Sequence, residues 1–214
     1  MKEHEAWWQN NLPAAENMDT GAMGKTFRGW LRGTNAESRL VLRDILKEYK
    51  YESMLDCAAG LCDEYDGLKL NNVDIEYTAL DITPKLVEYN SNRGINIKEG
   101  SIEKLPFKTK SFDLVYARHV LEHLDYYEKA LSEMIRVAKR GVIHTFFRKP
   151  MSEPDNIEIY SPETKLFQNV YDIDKMNTFI SRKRKVSSYE WVQPEILKHK
   201  MWTNGEVILH IRMK

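Results

Sequence analysis

The residues best able to do chemistry together fall just after short apolar runs. Leu55-Asp56-Cys57-Ala58-Ala59-Gly60-Leu61-Cys62 sets one carboxylate ahead of small side chains, a stretch over which a ligand can lie close to the backbone. Asp81 ends the next apolar run, where a carboxylate is placed to accept both hydrogen bonds of a ribose diol. The separation of Asp56 and Asp81 suits one strand-helix-strand unit. Taken singly, Asp81 could be only the cap of a helix at Thr83, and Ala58 to Gly60 only a tight turn. In order, and at successive run ends, they read as a nucleoside site. A dinucleotide fits less well, because its pyrophosphate needs a glycine-rich turn, and Ala58 and Cys62 stand where two of three glycines would be.

His144 and His119 are the candidates for a proton-accepting base, in that order. His119 follows the fourth apolar run and His144 lies near the end of the fifth. His119 and His123 share the i, i+4 spacing of paired metal ligands on a predicted helical turn, but the segment lacks H-E-x-x-H, and His123 reads as structural. Cys57 and Cys62 have no spaced Cys or His partners, so no metal site is expected and both read as reduced thiols. Gly24-Lys25-Thr26 matches only the end of a phosphate-binding loop: Asp19 replaces the loop's first glycine and no apolar strand precedes it. The basic run Arg182-Lys183-Arg184-Lys185 reads as a charged turn before a strand, where basic groups also protect an edge.

These residues need a frame, and the hydrophobic pattern supplies one. Short apolar runs at Ser53 to Ala58, Ile75 to Leu80, Ile95 to Lys98, Phe112 to Ala117 and Val142 to Phe146 alternate with helical stretches, as in a parallel sheet built from strand-helix units. Thr83-Pro84 starts one helix, with Pro at the first helical position where its missing donor is harmless. Leu131, Met134, Ile135 and Ala138 mark the face of another, closed by Gly141. Ahead of the sheet, Thr34 to Glu37 matches a capping box, and Leu40, Val41, Ile45 and Leu46 predict a helix to about Tyr49. Beyond it lie a polar loop with Pro150, Pro154 and Pro162, an amphipathic piece from Ile173 to Ile180, and strands at Val186 to Val192 and Glu206 to Met213. Residues 1–50 then form an arm and helix, with Trp7, Trp8 and Trp30 as a lid, and residues 51–214 form the ligand-binding domain.

Bulk properties narrow the classes. Lys plus Arg and Asp plus Glu number 32 each in 214 residues, so no net field draws nucleic acid or anionic lipid. No apolar run is long enough to span a membrane and the first ten residues are unlike a signal peptide, so a cytoplasmic protein, monomer or homodimer, is expected.

From Leu55 to about Phe147 the chain resembles the class I S-adenosylmethionine-dependent methyltransferases. The resemblance rests on Leu105-Pro106-Phe107, Ser111-Phe112-Asp113-Leu114-Val115, Val120-Leu121-Glu122-His123 and the later Ala130 to Val137, in the family's order. It implies a Rossmann-like α/β fold: a seven-stranded, mostly parallel sheet with helices on both faces and an antiparallel last strand. It implies S-adenosylmethionine as cofactor, with Asp56, Ala58 and Gly60 along its methionine part, Asp81 on the ribose and Ile82 against the adenine. Ser101 and Ile102 would meet the adenine edge and face, and Ala117 and Arg118 the cofactor at the end of the fourth strand. The family usually has Gly at positions 58 and 62 and Asp at 101; Ser101 is neutral and holds an adenine amine less strongly than a carboxylate. The reaction expected is in-line methyl transfer to a small-molecule or sugar-like acceptor, met by the arm, Arg118 and the segment after Phe147. The alternative is a regulatory protein that binds the cofactor without turnover.

Overall fold

A computed structural model describes Ala6, Trp8, Asn10, Leu12 and residues 37–152, 160–161, 166–193 and 206–214. Trp7, Trp30, Gly24-Lys25-Thr26 and the capping residue Thr34 lie outside the described residues. In chain order the elements are α1 (Glu37–Tyr49), β1 (Ser53–Cys57), α2 (Asp63–Leu70), β2 (Glu76–Asp81), α3 (Pro84–Asn92), β3 (Ile97–Glu99) and β4 (Phe112–Arg118). There follow a 3-10 turn (Leu121–His123), α4 (Glu128–Val137), β5 (Ala138–Phe146), the short pair β6 (Tyr160–Ser161) and β7 (Leu166–Phe167), α5 (Ile173–Ser181), β8 (Val186–Val192) and β9 (Val207–Met213).

The main sheet has seven strands in the order β3-β2-β1-β4-β5-β9-β8. β1 pairs in parallel with β2 and β4, β2 with β3, and β4 with β5, whereas β9 runs antiparallel between β5 and β8. The chain therefore starts in the middle, builds outward to β3, and returns across β1 to begin β4. That reversal opens a crevice at the carboxyl ends of β1 and β4, where open α/β sheets bind ligands.

Successive strand residues point to opposite faces, and both faces are apolar. Leu55, Val115, Val142 and Leu209 pack with Leu131 and Met134 of α4 and Ile180 of α5. Met54, Leu114, Ile143 and Ile208, one step out of phase, pack with Leu42, Ile45 and Leu46 of α1 and Leu68 of α2. No helix among the described residues is long and apolar enough to cross a membrane.

Several sequence expectations need correction. α4 ends at Val137, and Ala138 is already extended, so Gly141 lies inside β5 and closes no helix. A Cβ at Gly141 would run into the Tyr51 phenol, which explains the glycine in a strand. The buried stripe of α1 is also not the expected one. Leu40 is exposed, while Ser38, Arg39, Leu42, Arg43, Ile45 and Leu46 are buried, because acidic residues at the start of α2 face the arginines. His119 and His123 do not share a helix turn: His119 is left-handed (φ 54°) directly after β4, and His123 belongs to the 3-10 turn.

Candidate active site

The turn after β1 is left-handed at every second residue: Ala58, Gly60 and Cys62 have φ of 56°, 57° and 55°. These are the positions where the family carries glycine, so the backbone keeps the glycine conformation while two L side chains bear its steric strain. The turn is clamped from β2 and α3. Asp81 Oδ2 accepts from the Gly60 N–H at 2.9 Å and Oδ1 from the Thr83 N–H at 2.9 Å. Asn90 Nδ2 donates to the Gly60 carbonyl at 2.8 Å, and Arg93 Nη1 to the Leu61 carbonyl at 2.8 Å. A carboxylate offers about four lone-pair directions, so Asp81 can hold the turn and still meet a diol. Burial raises the Asp81 pKa against the backbone hydrogen bonds that lower it. Burial also lifts Asp56 to about 7, in spite of the 2.6 Å hydrogen bond it accepts from the Tyr77 hydroxyl.

Below the turn lies a buried ionic group. Arg39 of α1 donates from Nη1 to Glu64 Oε2 at 2.8 Å and has Asp63 Oδ2 3.9 Å from Nη2. Asp63 and Glu64 open α2, where the helix dipole favours acids. Above them the Tyr116 hydroxyl is buried and has no partner among the described residues.

The opposite wall comes from the ends of β4 and β5. Arg118 Nη2 and His119 Nε2 each lie 2.7 Å from Oε1 of Glu206, a buried acid just before β9. Burial, followed by the charge of Arg118, lowers the His119 pKa to about 4 despite Glu206, so its ring is neutral at ordinary pH. Glu122 is fully buried; its Oε1 accepts from the Phe147 N–H at 2.7 Å and its Oε2 lies 3.2 Å from His144 Nε2. Burial acts to raise the Glu122 carboxyl, but His144, His119 and a backbone hydrogen bond together outweigh it and the pKa is lowered. The rings of His119 and His123 flank Phe147 at centroid distances of 5.4 and 5.3 Å, and Trp8 meets His123 edge-on at 6.4 Å.

Between the two walls is a cavity of about 470 Å³. Of the residues expected at a cofactor site, Asp56, Ala58, Gly60, Asp81, Ile82, Ser101, Ile102 and Arg118 line it together. Ala117 is fully buried in the core and its neighbours Tyr116 and Arg118 face the cavity instead. His119 is in the wall; His144 is not, being fully buried with its ring against Glu122. A base must reach the acceptor's proton, and His144 is placed to fix Glu122 and, through it, the Phe147 backbone. Arg39, Tyr116 and Gln168 also line the cavity and were not singled out from sequence, and His123, read there as structural, lines it too. Arg39 alone had a readable signal: it falls at i−3 and i−7 from Leu42 and Leu46, on a buried helical stripe. Trp8 and Leu12 pack with Leu61, Leu86 and Tyr89 at the cavity edge, and Lys85 Nζ donates to the Leu12 carbonyl at 2.7 Å.

A crevice at the sheet's switch point, with a clamped left-handed turn, a diol-ready carboxylate and a cavity open to the next strand pair, defines an α/β nucleoside-cofactor protein. Residues 55–146 match the family model described as methyltransferase domain. With that match and this fold, residues 55–146 form a methyltransferase domain of the S-adenosylmethionine-dependent kind. Solved structures agree on the fold. The YcgJ protein of Bacillus subtilis aligns with a TM-score of 0.58 at 17% identity, covering 84% of this chain and 99% of its own. A SAM-dependent methyltransferase from Aquifex aeolicus aligns at 0.55 and 17%, covering 87% and 98%. A chain from the complex between the Haloferax volcanii Trm112 methyltransferase activator and a methyltransferase aligns at 0.61 and 13%, covering 99% and 98%.

Proposed function

We propose that the enzyme methylates a small-molecule acceptor held over the ends of β4 and β5, with His119 receiving the proton that the acceptor sheds. The observation that carries this reading is the acceptor wall itself. His119, His123, Phe147 and Trp8 set four flat rings around one end of the cavity, a surface suited to a small, partly apolar molecule.

The residues fit the cofactor. The left-handed turn brings backbone close to the cavity, Asp81 keeps lone pairs for a ribose, Ile82 and Ile102 offer apolar faces for an adenine, and the buried Tyr116 hydroxyl lacks a partner among the described residues. Arg39 and Arg118, each held by its own acid, also line the cavity. When bound, S-adenosylmethionine supplies a methyl on a positively charged sulfur with a neutral leaving thioether. The protein's task is then mainly to align the acceptor, worth on the order of 7–11 kcal/mol in favourable cases. His119 is neutral and so has a ring nitrogen free to accept a proton; its pKa of about 4 makes it a weak base in the empty cavity, and Glu206 beside Nε2 is the group that stabilises the charged ring. The arm that carries Trp8 and Leu12 serves as the lid, seated on Leu61, Leu86 and Tyr89.

Incubation with labelled S-adenosylmethionine and fractionated cell extract tests the acceptor class. Label is expected in the small-metabolite fraction, and His119→Ala should lower its rate about 10²- to 10⁴-fold while S-adenosylhomocysteine still binds. Label confined to protein or RNA would refute the small-molecule reading, and an unchanged rate in His119→Ala would refute the base.

A further inference from the structure

We propose that Arg148 is the anchor for an oxyanion on the acceptor, so that the enzyme's substrate is a small carboxylate or phosphate with a flat apolar body. The inference rests on the methyl-transfer reading of the same cavity and assigns the charge of what that cavity takes.

Three arginines line the cavity, and two of them already have anions. Arg39 has Glu64 at 2.8 Å and Asp63 at 3.9 Å, and Arg118 has Glu206 at 2.7 Å. Arg148, just beyond β5, has no carboxylate within 4 Å among the described residues. Its Nη2 donates to the Gln168 side-chain oxygen at 2.9 Å and its guanidinium lies 5.9 Å from the centre of the Phe147 ring. Both partners are neutral, so they orient the guanidinium without cancelling its charge. Its side chain lines the cavity, so an oxygen held there can accept from the guanidinium.

The holder of Arg148 is itself fixed. His123 Nδ1 lies 2.7 Å from the Phe167 carbonyl, the Asn169 N–H donates to the Glu122 carbonyl at 2.9 Å, and Asn169 Nδ2 donates to the Leu124 carbonyl at 2.6 Å. Gln168 therefore projects from a backbone pinned on either side, and Arg148 is aimed before any ligand arrives. A guanidinium presents parallel N–H groups that match two oxygens of a carboxylate or phosphate. Phe147 and Trp8 offer the surface for the rest of the molecule.

The test uses the full chain saturated with S-adenosylhomocysteine and three probes of one shape: benzoate, phenyl phosphate and benzyl alcohol. Calorimetry should show the anions binding wild type, with Arg148→Met weakening them about tenfold or more, Arg148→Lys falling between, and benzyl alcohol unaffected throughout. Preference for benzoate assigns a carboxylate, preference for phenyl phosphate a phosphate. S-adenosylhomocysteine affinity should be equal in wild type and both variants, which also reports that they fold. A loss of that affinity in Arg148→Met would give Arg148 to the cofactor and overturn the inference. So would anion binding that Arg148→Met leaves unchanged, or no binding of either anion. Failure of wild type to bind S-adenosylhomocysteine would overturn the methyl-transfer reading, and this inference with it.

Discussion

Replacing Ala58 by glycine should stabilise the protein, while the same change one residue on should destabilise it. Ala58 sits at φ 56°, in the left-handed region, where an L side chain costs about 1–2 kcal/mol relative to the right-handed form. Glycine removes that strain but loses more conformational freedom on folding, about 0.5–1 kcal/mol. The net for Ala58→Gly is a gain of roughly 0.5–1 kcal/mol. Ala59 is not left-handed and packs against the core cluster of Leu42, Met54 and Tyr116. There glycine has no strain to relieve, so the entropic loss and the lost methyl contact add to a destabilisation of about 1–2 kcal/mol. Urea denaturation of wild type and the two variants reads the difference directly, and the opposed signs protect the result from error in either magnitude. The turn also faces the cavity, so calorimetry with S-adenosylhomocysteine should show Ala58→Gly binding at least as tightly as wild type. If both glycine variants lose stability by similar amounts, the side chain at position 58 bears no strain and the account of this turn is wrong.

Asp81→Asn keeps one acceptor oxygen where three roles need two, so it should weaken S-adenosylhomocysteine binding about 10- to 100-fold and loosen the Gly60 and Thr83 contacts; unchanged calorimetric affinity would remove Asp81 from the ribose. Asp56 titrates at about 7 in the empty cavity, so below that pH it is protonated and cannot attract a cationic cofactor. Affinity for S-adenosylmethionine should therefore rise with pH between 6 and 8, and Asp56→Asn should flatten the profile; a flat wild-type profile would sink the assignment. Gly141→Ala pushes the Tyr51 phenol off its 3.0 Å contact with His210 and should cost about 1–3 kcal/mol in a thermal or urea melt, with cofactor affinity unchanged because this contact is not part of the cavity wall.

How much of this was written in the sequence depends on distance along the chain. The central strands were legible because each is a short apolar run with turn residues at its end, and the residues after the runs were legible because strand ends meet at one crevice. Asp56, Gly60, Asp81 and Ser101 illustrate this: each lies at a strand end in the first half of the sheet. Glu206 was not legible, since it arrives from the far end of the chain and reaches Arg118 and His119 only because β9 inserts beside β5. Gln168 was hidden for the same reason, placed by hydrogen bonds from the VLEH segment about forty residues earlier. The left-handed backbone at Ala58 and Cys62 carries no residue-type signal, because the types enriched in that conformation are glycine, asparagine, aspartate and histidine; His119, also left-handed, is one of them. His144 misleads in the opposite way: its position in the sequence is that of a strand end, but the last turn of β5 faces the core, where Glu122 and not the acceptor awaits it.

Charge is divided across the cavity in a way that sets the direction in which ligands lie. The β1 and β2 ends supply acids, Asp56 and Asp81, while the β4 and β5 ends supply Arg118, His119 and Arg148. On the second side Glu206 contacts Arg118 and His119, and the buried Glu122 holds His144 and the Phe147 N–H. His119 is held neutral with a pKa near 4, and Arg118 pairs with Glu206 beside it. Arg148 is the arginine of that wall with no carboxylate partner among the described residues. A cofactor with a cationic centre is drawn toward Asp56, and an anionic acceptor is drawn away from it toward Arg148, so the two ligands are sorted to opposite ends before any shape-specific contact forms. His119 stands between those ends, adjoining both Arg118 and Phe147, which is where a nucleophile on an acceptor anchored at Arg148 must lie for its proton to be taken.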